Sequence, residues 1–236
     1  MLSIENINMS YGKFKVLKGV NLNINKGEIV CIIGANGQGK TTLLNIISGV
    51  LIPEKGSVKI NNVSRDENEK EYKKMLGYAP DDTKLLEYLT VNEYIKFFIS
   101  VYNARNKKEN LKRYINILKF DGERSKTIRS LSKGNKKKLA VITSIVHEPK
   151  VLIMDEPIDG LDLDIQIEVI KLIKTLKEKM AVLIVTHSVS VIKELADKVA
   201  FLHDGVIKEF DKYENLTQKY NVETIYELYS KVIGNE

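Results

Sequence analysis

The chain has 236 residues, 43% hydrophobic and 29% charged, enough for one large domain or two small ones with a substantial core, and too apolar for a disordered chain. Its net charge of +6 and pI near 9.1 favour an anionic partner without choosing among nucleotide, nucleic acid and membrane surface. No apolar run approaches the roughly 18 to 20 residues that cross a bilayer, no signal-peptide pattern opens the chain, and the single Cys31 excludes a disulfide framework, so a cytoplasmic place is expected.

In chain order, the first thirty residues alternate apolar and polar positions, with Leu2, Ile4, Val20, Leu22 and Ile24 on one side, which predicts antiparallel strands joined by a turn at Tyr11 and Gly12. An apolar run over 28–33 predicts a buried strand, in which Cys31 is a small buried thiol, and residues 43–47 predict a helix. Pro53 to Gly56 reads as a turn, 57–60 as a short strand, Asn61 and Asn62 as another turn, and 75–79 as a further strand. From Thr90 the spacing turns helical: Val91, Tyr94, Ile95, Phe98 and Ile99, then Leu111, Tyr114, Ile115 and Leu118 recur every three to four residues. Thr90 followed by Glu93 has the form of a capping box. Strands resume at 151–154 and 181–185 around a helix with an apolar face of Ile165, Val169, Leu172, Ile173 and Leu176. A hairpin is expected around Asp204 and Gly205, and the tail from Lys212 is amphipathic and helical. The expected division is a single domain over 1–236: an α/β core with an antiparallel β piece over 1–89 and 149–211, a helical insertion over 90–148, and a helical tail over 212–236.

Between the strand at 28–33 and the helix that follows, Gly34, Ala35, Asn36, Gly37, Gln38, Gly39, Lys40 and Thr41 fit G-x-x-x-x-G-K-[ST] in full, with Thr42 next. The glycines let the backbone come close to a polyphosphate, so that successive N–H groups and the helix N-terminus point at it. Lys40 would reach the β- and γ-phosphates, and the Thr41 hydroxyl would help hold magnesium. The strand at 151–154 delivers Asp155 and Glu156 to a sheet edge, where Asp155 would meet the magnesium directly or through water and Glu156 would orient or deprotonate an attacking water. Ser132, Lys133, Gly134 and Asn135 open another expected helix, whose N-terminus is a second anion site. Lys136 to Lys138 read as an exposed helix face rather than a nucleic-acid contact, His147 as a structural residue near a helix C-terminus, and His203 as a turn residue.

Taken in order, these motifs resemble the ATP-binding subunit of an ABC transporter, and the resemblance covers essentially the whole chain. It rests on the phosphate loop, the stretch Leu131 to Asn135, the acidic strand end Met154-Asp155-Glu156-Pro157, the loop Asp159-Gly160-Leu161-Asp162, and Thr186-His187. The resemblance implies a P-loop NTPase of ABC type, with a mixed sheet, an antiparallel β subdomain and a helical insertion. It further implies that Tyr11 stacks on adenine, that His187 contacts the γ-phosphate, that Asp162 links two sites across a dimer, and that Ser132 and Gly134 bind ATP held by an opposite protomer. Two departures stand out: Asp81, or its neighbour Asp82, where the family usually has glutamine, and Lys133 and Asn135 where glycine and glutamine are commoner.

The function implied is an ATP- and Mg2+-dependent hydrolase that pairs as a homodimer or heterodimer and drives a separate transmembrane permease subunit from the cytoplasmic face of the membrane. Its short length and signature look most like ATPase subunits of two-component exporters of drugs, antimicrobial peptides or lipids. The rival is a soluble ABC ATPase acting on an assembly scaffold or nucleic acid. A subunit that binds nucleotide without hydrolysis is disfavoured by the presence of Glu156.

Overall fold

A computed structural model of the chain describes residues 1–82, 84–104 and 108–234. Strands β1 (Leu2–Tyr11), β2 (Phe14–Ile24), β4 (Lys55–Ile60) and β5 (Val63–Ser64) form an antiparallel sheet in the order β2-β1-β4-β5. Its register sets Leu2 opposite Ile24, Ile4 opposite Leu22 and Ile7 opposite Val20, and all six are buried, as a strand with one wet face requires. The turn falls on Gly12 and Lys13 instead of Tyr11 and Gly12, because Tyr11 still pairs with Phe14 in the ladder.

The second sheet has six strands in the order β10-β9-β3-β8-β7-β6. These are β3 (Ile29–Ile33), β6 (Leu76–Ala79), β7 (Val151–Asp155), β8 (Ala181–Val185), β9 (Lys198–His203) and β10 (Val206–Asp211). Five run parallel and β10 closes one edge antiparallel through the expected hairpin at Asp204 and Gly205. Every residue of β3, β7 and β8 is buried, which is why these strands read as unbroken apolar runs. Alternate residues then face two different cores. Val30, Ile32, Ile153 and Leu183 pack with β1, β2 and helix α1 (Lys40–Ile47), while Cys31, Met154 and Ile184 pack with the helices on the other face. The Lys18 N–H donates to Gly205 O at 2.8 Å, fastening the antiparallel sheet to the β9–β10 turn.

The remaining helices are α2 (Glu69–Met75), α3 (Val91–Val101), α4 (Lys108–Ile117), α5 (Lys133–Ile145), α6 (Leu163–Lys177), α7 (Val189–Leu195), α8 (Tyr213–Tyr220) and α9 (Ile225–Ile233). Thr90 and Glu93 make the capping box that opens α3, and Leu111, Tyr114, Ile115 and Leu118 are buried as their spacing predicts. Three sequence expectations need correction. Met75 ends α2 instead of starting a strand, since Asn68 caps that helix by accepting from the Glu71 N–H. Lys55 and Gly56, expected in a turn, already belong to β4. His203 is the last residue of β9, not a turn residue. The tail folds as α8 and α9, and α9 packs on β9 and β10. Among the described residues, no helix is long and apolar enough to cross a membrane.

Candidate active site: the phosphate loop and the acidic strand end

The loop between β3 and α1 is shaped by its glycines. Gly39 caps α1 at φ 97°, a left-handed conformation, and a Cβ there would stand 2.8 Å from Leu17 Cδ2. Ala35, Asn36, Gly37 and Thr41 are exposed, while Gln38 and Thr42 are half-buried. Gln38 Oε1 accepts from the Asp204 N–H at 2.6 Å, and the Ala35 N–H donates to the Tyr229 hydroxyl of α9 at 3.0 Å, so the loop is tied to two other parts of the fold. Lys40 curls back over the loop, its Nζ donating to Gly34 O at 2.7 Å and Ala35 O at 2.9 Å. Burial holds its pKa below the ordinary lysine value, against the opposing pull of the Glu156 and Asp155 carboxylates.

Those carboxylates are delivered by the end of β7 and the turn that follows it. Asp155, its last residue, is buried, and burial followed by repulsion from Glu156 and Asp81 raises its pKa, with Lys40 and Lys137 pulling the other way. Glu156 takes a left-handed backbone, φ 43°, and its N–H donates to Val185 O at 2.9 Å. Its side chain is aimed by the end of β8: Oε2 accepts from Thr186 Oγ1 at 3.0 Å, and Oε1 lies 2.7 Å from His187 Nδ1. The His187 ring is 68% exposed, and its Nε2 is 3.7 Å from Asp159 Oδ1. Of the two candidate aspartates after β6, Asp81 joins this cluster, through an ion pair with Lys137 Nζ at 3.0 Å.

The residues present fit a hard divalent cation. Burial first, and then repulsion from Glu156 and Asp81, hold Asp155 above its usual range, and a cation beside the three carboxylates would relieve both. Among the described residues, no group of three or more His, Cys, Asp or Glu side chains could hold a metal unaided, so phosphate oxygens and water would complete the shell.

Other expected residues lie apart from this cluster. Ser132 is exposed at the N-terminus of α5, where its Oγ accepts from the Asn135 N–H at 3.2 Å. Gly134 is buried against α6, and a Cβ there would lie 2.4 Å from Ile165 Cδ1. Tyr11 ends β1, 51% exposed. The lysine run is not an exposed face: Lys137 and Lys138 are each only 5% exposed, and Lys138 is satisfied by Leu118 O and the buried Glu168 carboxylate. His147 lies beyond the end of α5, buried and stacked on Tyr102 at 3.8 Å, with Nε2 3.0 Å from Leu76 O. Sequence spacing pointed to neither Lys137 nor Tyr229. Their partners stand 19 or more residues away for Lys137 and 194 away for Tyr229, beyond any local pattern.

A phosphate loop at a parallel sheet edge, faced by paired carboxylates and a histidine, defines an ATPase of the P-loop class. This chain belongs to the ABC transporter family, whose description matches residues 17–159. It is similar to the lantibiotic transport ATP-binding protein SrtF of Streptococcus pyogenes, 31% identical over 96% of this chain and 99% of that one. Among solved structures, an ATP-binding subunit of an ABC transporter superposes with a TM-score of 0.92 at 25% identity, over 98% of this chain and 99% of its own. The dimeric structure of MJ0796, a bacterial ABC transporter cassette, superposes at 0.79 with 28% identity, over 90% and 98%. The chain is thus the ATP-binding and ATP-hydrolysing subunit of an ABC transporter.

Proposed function

We propose that two ATPase subunits, this chain paired with itself or with a different one, close around ATP and drive a separate membrane subunit that exports a drug, antimicrobial peptide or lipid. The observation that carries the hydrolytic half is the convergence of Lys40, Asp155, Glu156 and His187 at one sheet edge. Tyr11 would stack on adenine. Backbone N–H groups of residues 36–42 would hold the phosphates, with Lys40 leaving its two carbonyls for the β- and γ-phosphate oxygens. Glu156 would orient water and accept its proton, while His187 contacts the γ-phosphate and steadies the transferring group. Thr41, Asp155 and Asp81 would hold a magnesium ion, which supplies charge neutralisation when bound. Ser132 and Gly134 would complete the site of the facing subunit, in line with the exposure of the α5 N-terminus and the dimer seen for the MJ0796 cassette.

A groove of about 310 Å³ supports peripheral attachment to a membrane subunit at the cytoplasmic face. It runs between the core and the helical segment, and is lined by Val50, Tyr78, Leu85, Tyr94, Phe98 and Tyr102 among others. The resemblance to a lantibiotic transport subunit supports export. The test is co-purification of the tagged chain from solubilised membranes with ATP, as wild type and as Glu156→Gln, which keeps shape and removes the carboxylate. Recovery of a multi-spanning protein, enriched with the variant, is expected. A variant that traps ATP in a dimer with no membrane protein attached would sink the transport reading and favour an ATPase acting on a scaffold or nucleic acid.

A further inference from the structure

We propose that Lys137 is a positioning residue for the hydrolytic turn, a buried cation that clamps the backbone beneath Glu156. A lysine is almost never this deeply buried unless it is paired. Here the ammonium spends its three donors on three oxygens: Glu156 O at 2.6 Å, Asp159 O at 3.1 Å and Asp81 Oδ1 at 3.0 Å. The two carbonyls bracket the turn after β7, and the carboxylate that balances the charge comes from the segment after β6.

The turn needs such a clamp. Glu156 is a non-glycine residue at φ 43°, a conformation that persists only where the surroundings over-determine it. Its N–H is held by Val185 O, and within the turn the Asp159 N–H returns to Glu156 O at a long 3.3 Å. Lys137 fixes the next peptide unit through Glu156 O, so the units before and after the Glu156 Cα are both held. With the backbone fixed on both sides, the carboxylate can meet Thr186 and His187 together. Lys137 also sits on α5, the helix capped by Ser132, so one side chain joins that helix to the turn carrying Glu156. A displacement of α5 therefore reaches the Glu156 backbone without passing through a ligand.

The consequence for hydrolysis rests on the role proposed for Glu156, whereas the clamp itself does not. The experiment separates them. Amide hydrogen exchange is followed over residues 156–161 in the nucleotide-free full chain, for wild type, Lys137→Met, Lys137→Gln and Lys137→Arg, beside steady-state ATP hydrolysis and thermal unfolding. With Met or Gln, exchange in that segment is expected to speed about tenfold while β3 and β8 stay protected. In the same variants kcat should fall about thirtyfold with KM for ATP within about threefold, and Arg should recover most of the loss. Unchanged exchange at 156–161 would overturn the clamp, as would a uniform rise across the whole chain, which marks general destabilisation. Faster local exchange with kcat unchanged would retain the clamp and overturn its part in hydrolysis. A wild type that does not hydrolyse ATP would sink the reading of Glu156, leaving exchange to decide the clamp.

Discussion

The two halves of the expected ATP site are built in opposite ways. At the sheet edge, Lys40, Asp155, Glu156, His187, Asp81 and Lys137 are linked by bonds and charge, and the groups that would do chemistry are already oriented by the fold. At the N-terminus of α5, Ser132 is exposed, and among the described residues its hydroxyl does no more than cap its own helix. The first half is organised within one chain; the second is an exposed helix start, which the proposed function assigns to a facing subunit. Preorganisation at the sheet edge has a thermodynamic price, since Asp155 is buried there and faces the carboxylates of Glu156 and Asp81.

That contrast can be broken from either side. The largest expected effect is at Asp155. Its carboxyl titrates above the ordinary aspartate value in the fold, so its ionised form weighs against folding at neutral pH; the penalty is absent below the unfolded-state pKa and complete above the folded one. Asp155→Asn should therefore abolish hydrolysis by about 10²- to 10³-fold while raising the nucleotide-free Tm at pH 7 by about 2–4 °C. The Tm gain should shrink as pH falls toward about 4. A variant less stable than wild type at pH 7 would show that the sheet edge is not strained by charge. Next comes Ser132→Asn, which keeps a capping oxygen and loses the hydroxyl. Hydrolysis should fall about 10- to 100-fold, with affinity of the dilute chain for a fluorescent ATP analogue unchanged. Weakened binding at that dilution would place Ser132 in its own chain's site. The smallest effect is at Tyr229→Phe, which keeps the ring beside Phe201 and removes the acceptor for the Ala35 N–H. Losing one such bond is worth about 1 kcal/mol, so Kd for ATP should weaken by at most about fivefold, with faster amide exchange at Ala35.

Much of this was legible in the sequence because the carriers are local. The phosphate loop lies within eight consecutive residues, and the apolar runs of β3, β7 and β8 announce strands covered on both faces. Helix α2 escaped because only Tyr72 and Met75 of its seven residues are buried, too few to show a period. The lysine run misled for a different reason. A lysine on a helix is normally solvated, and what buries Lys137 and Lys138 is Asp81, Glu168 and three backbone carbonyls, from Leu118, Glu156 and Asp159, delivered by other elements. Spacing predicts the face of a helix; it does not say which distant oxygen waits there. The same limit hid the tie between Tyr229 and the phosphate loop, which assigns the tail a contact that its amphipathic pattern alone could not.

Cys31 sits in the middle of β3 with none of its surface exposed, and burial drives its thiol far above the ordinary cysteine range. The strand that feeds the phosphate loop thus carries a sulfur withheld from oxidants and alkylating agents for as long as the sheet is intact. Its modification would be a clock for opening of the central sheet. By the same token, a single reporter cysteine placed on the exposed surface could carry a probe with little background, allowing the proposed closing of two subunits to be tested on an otherwise native chain.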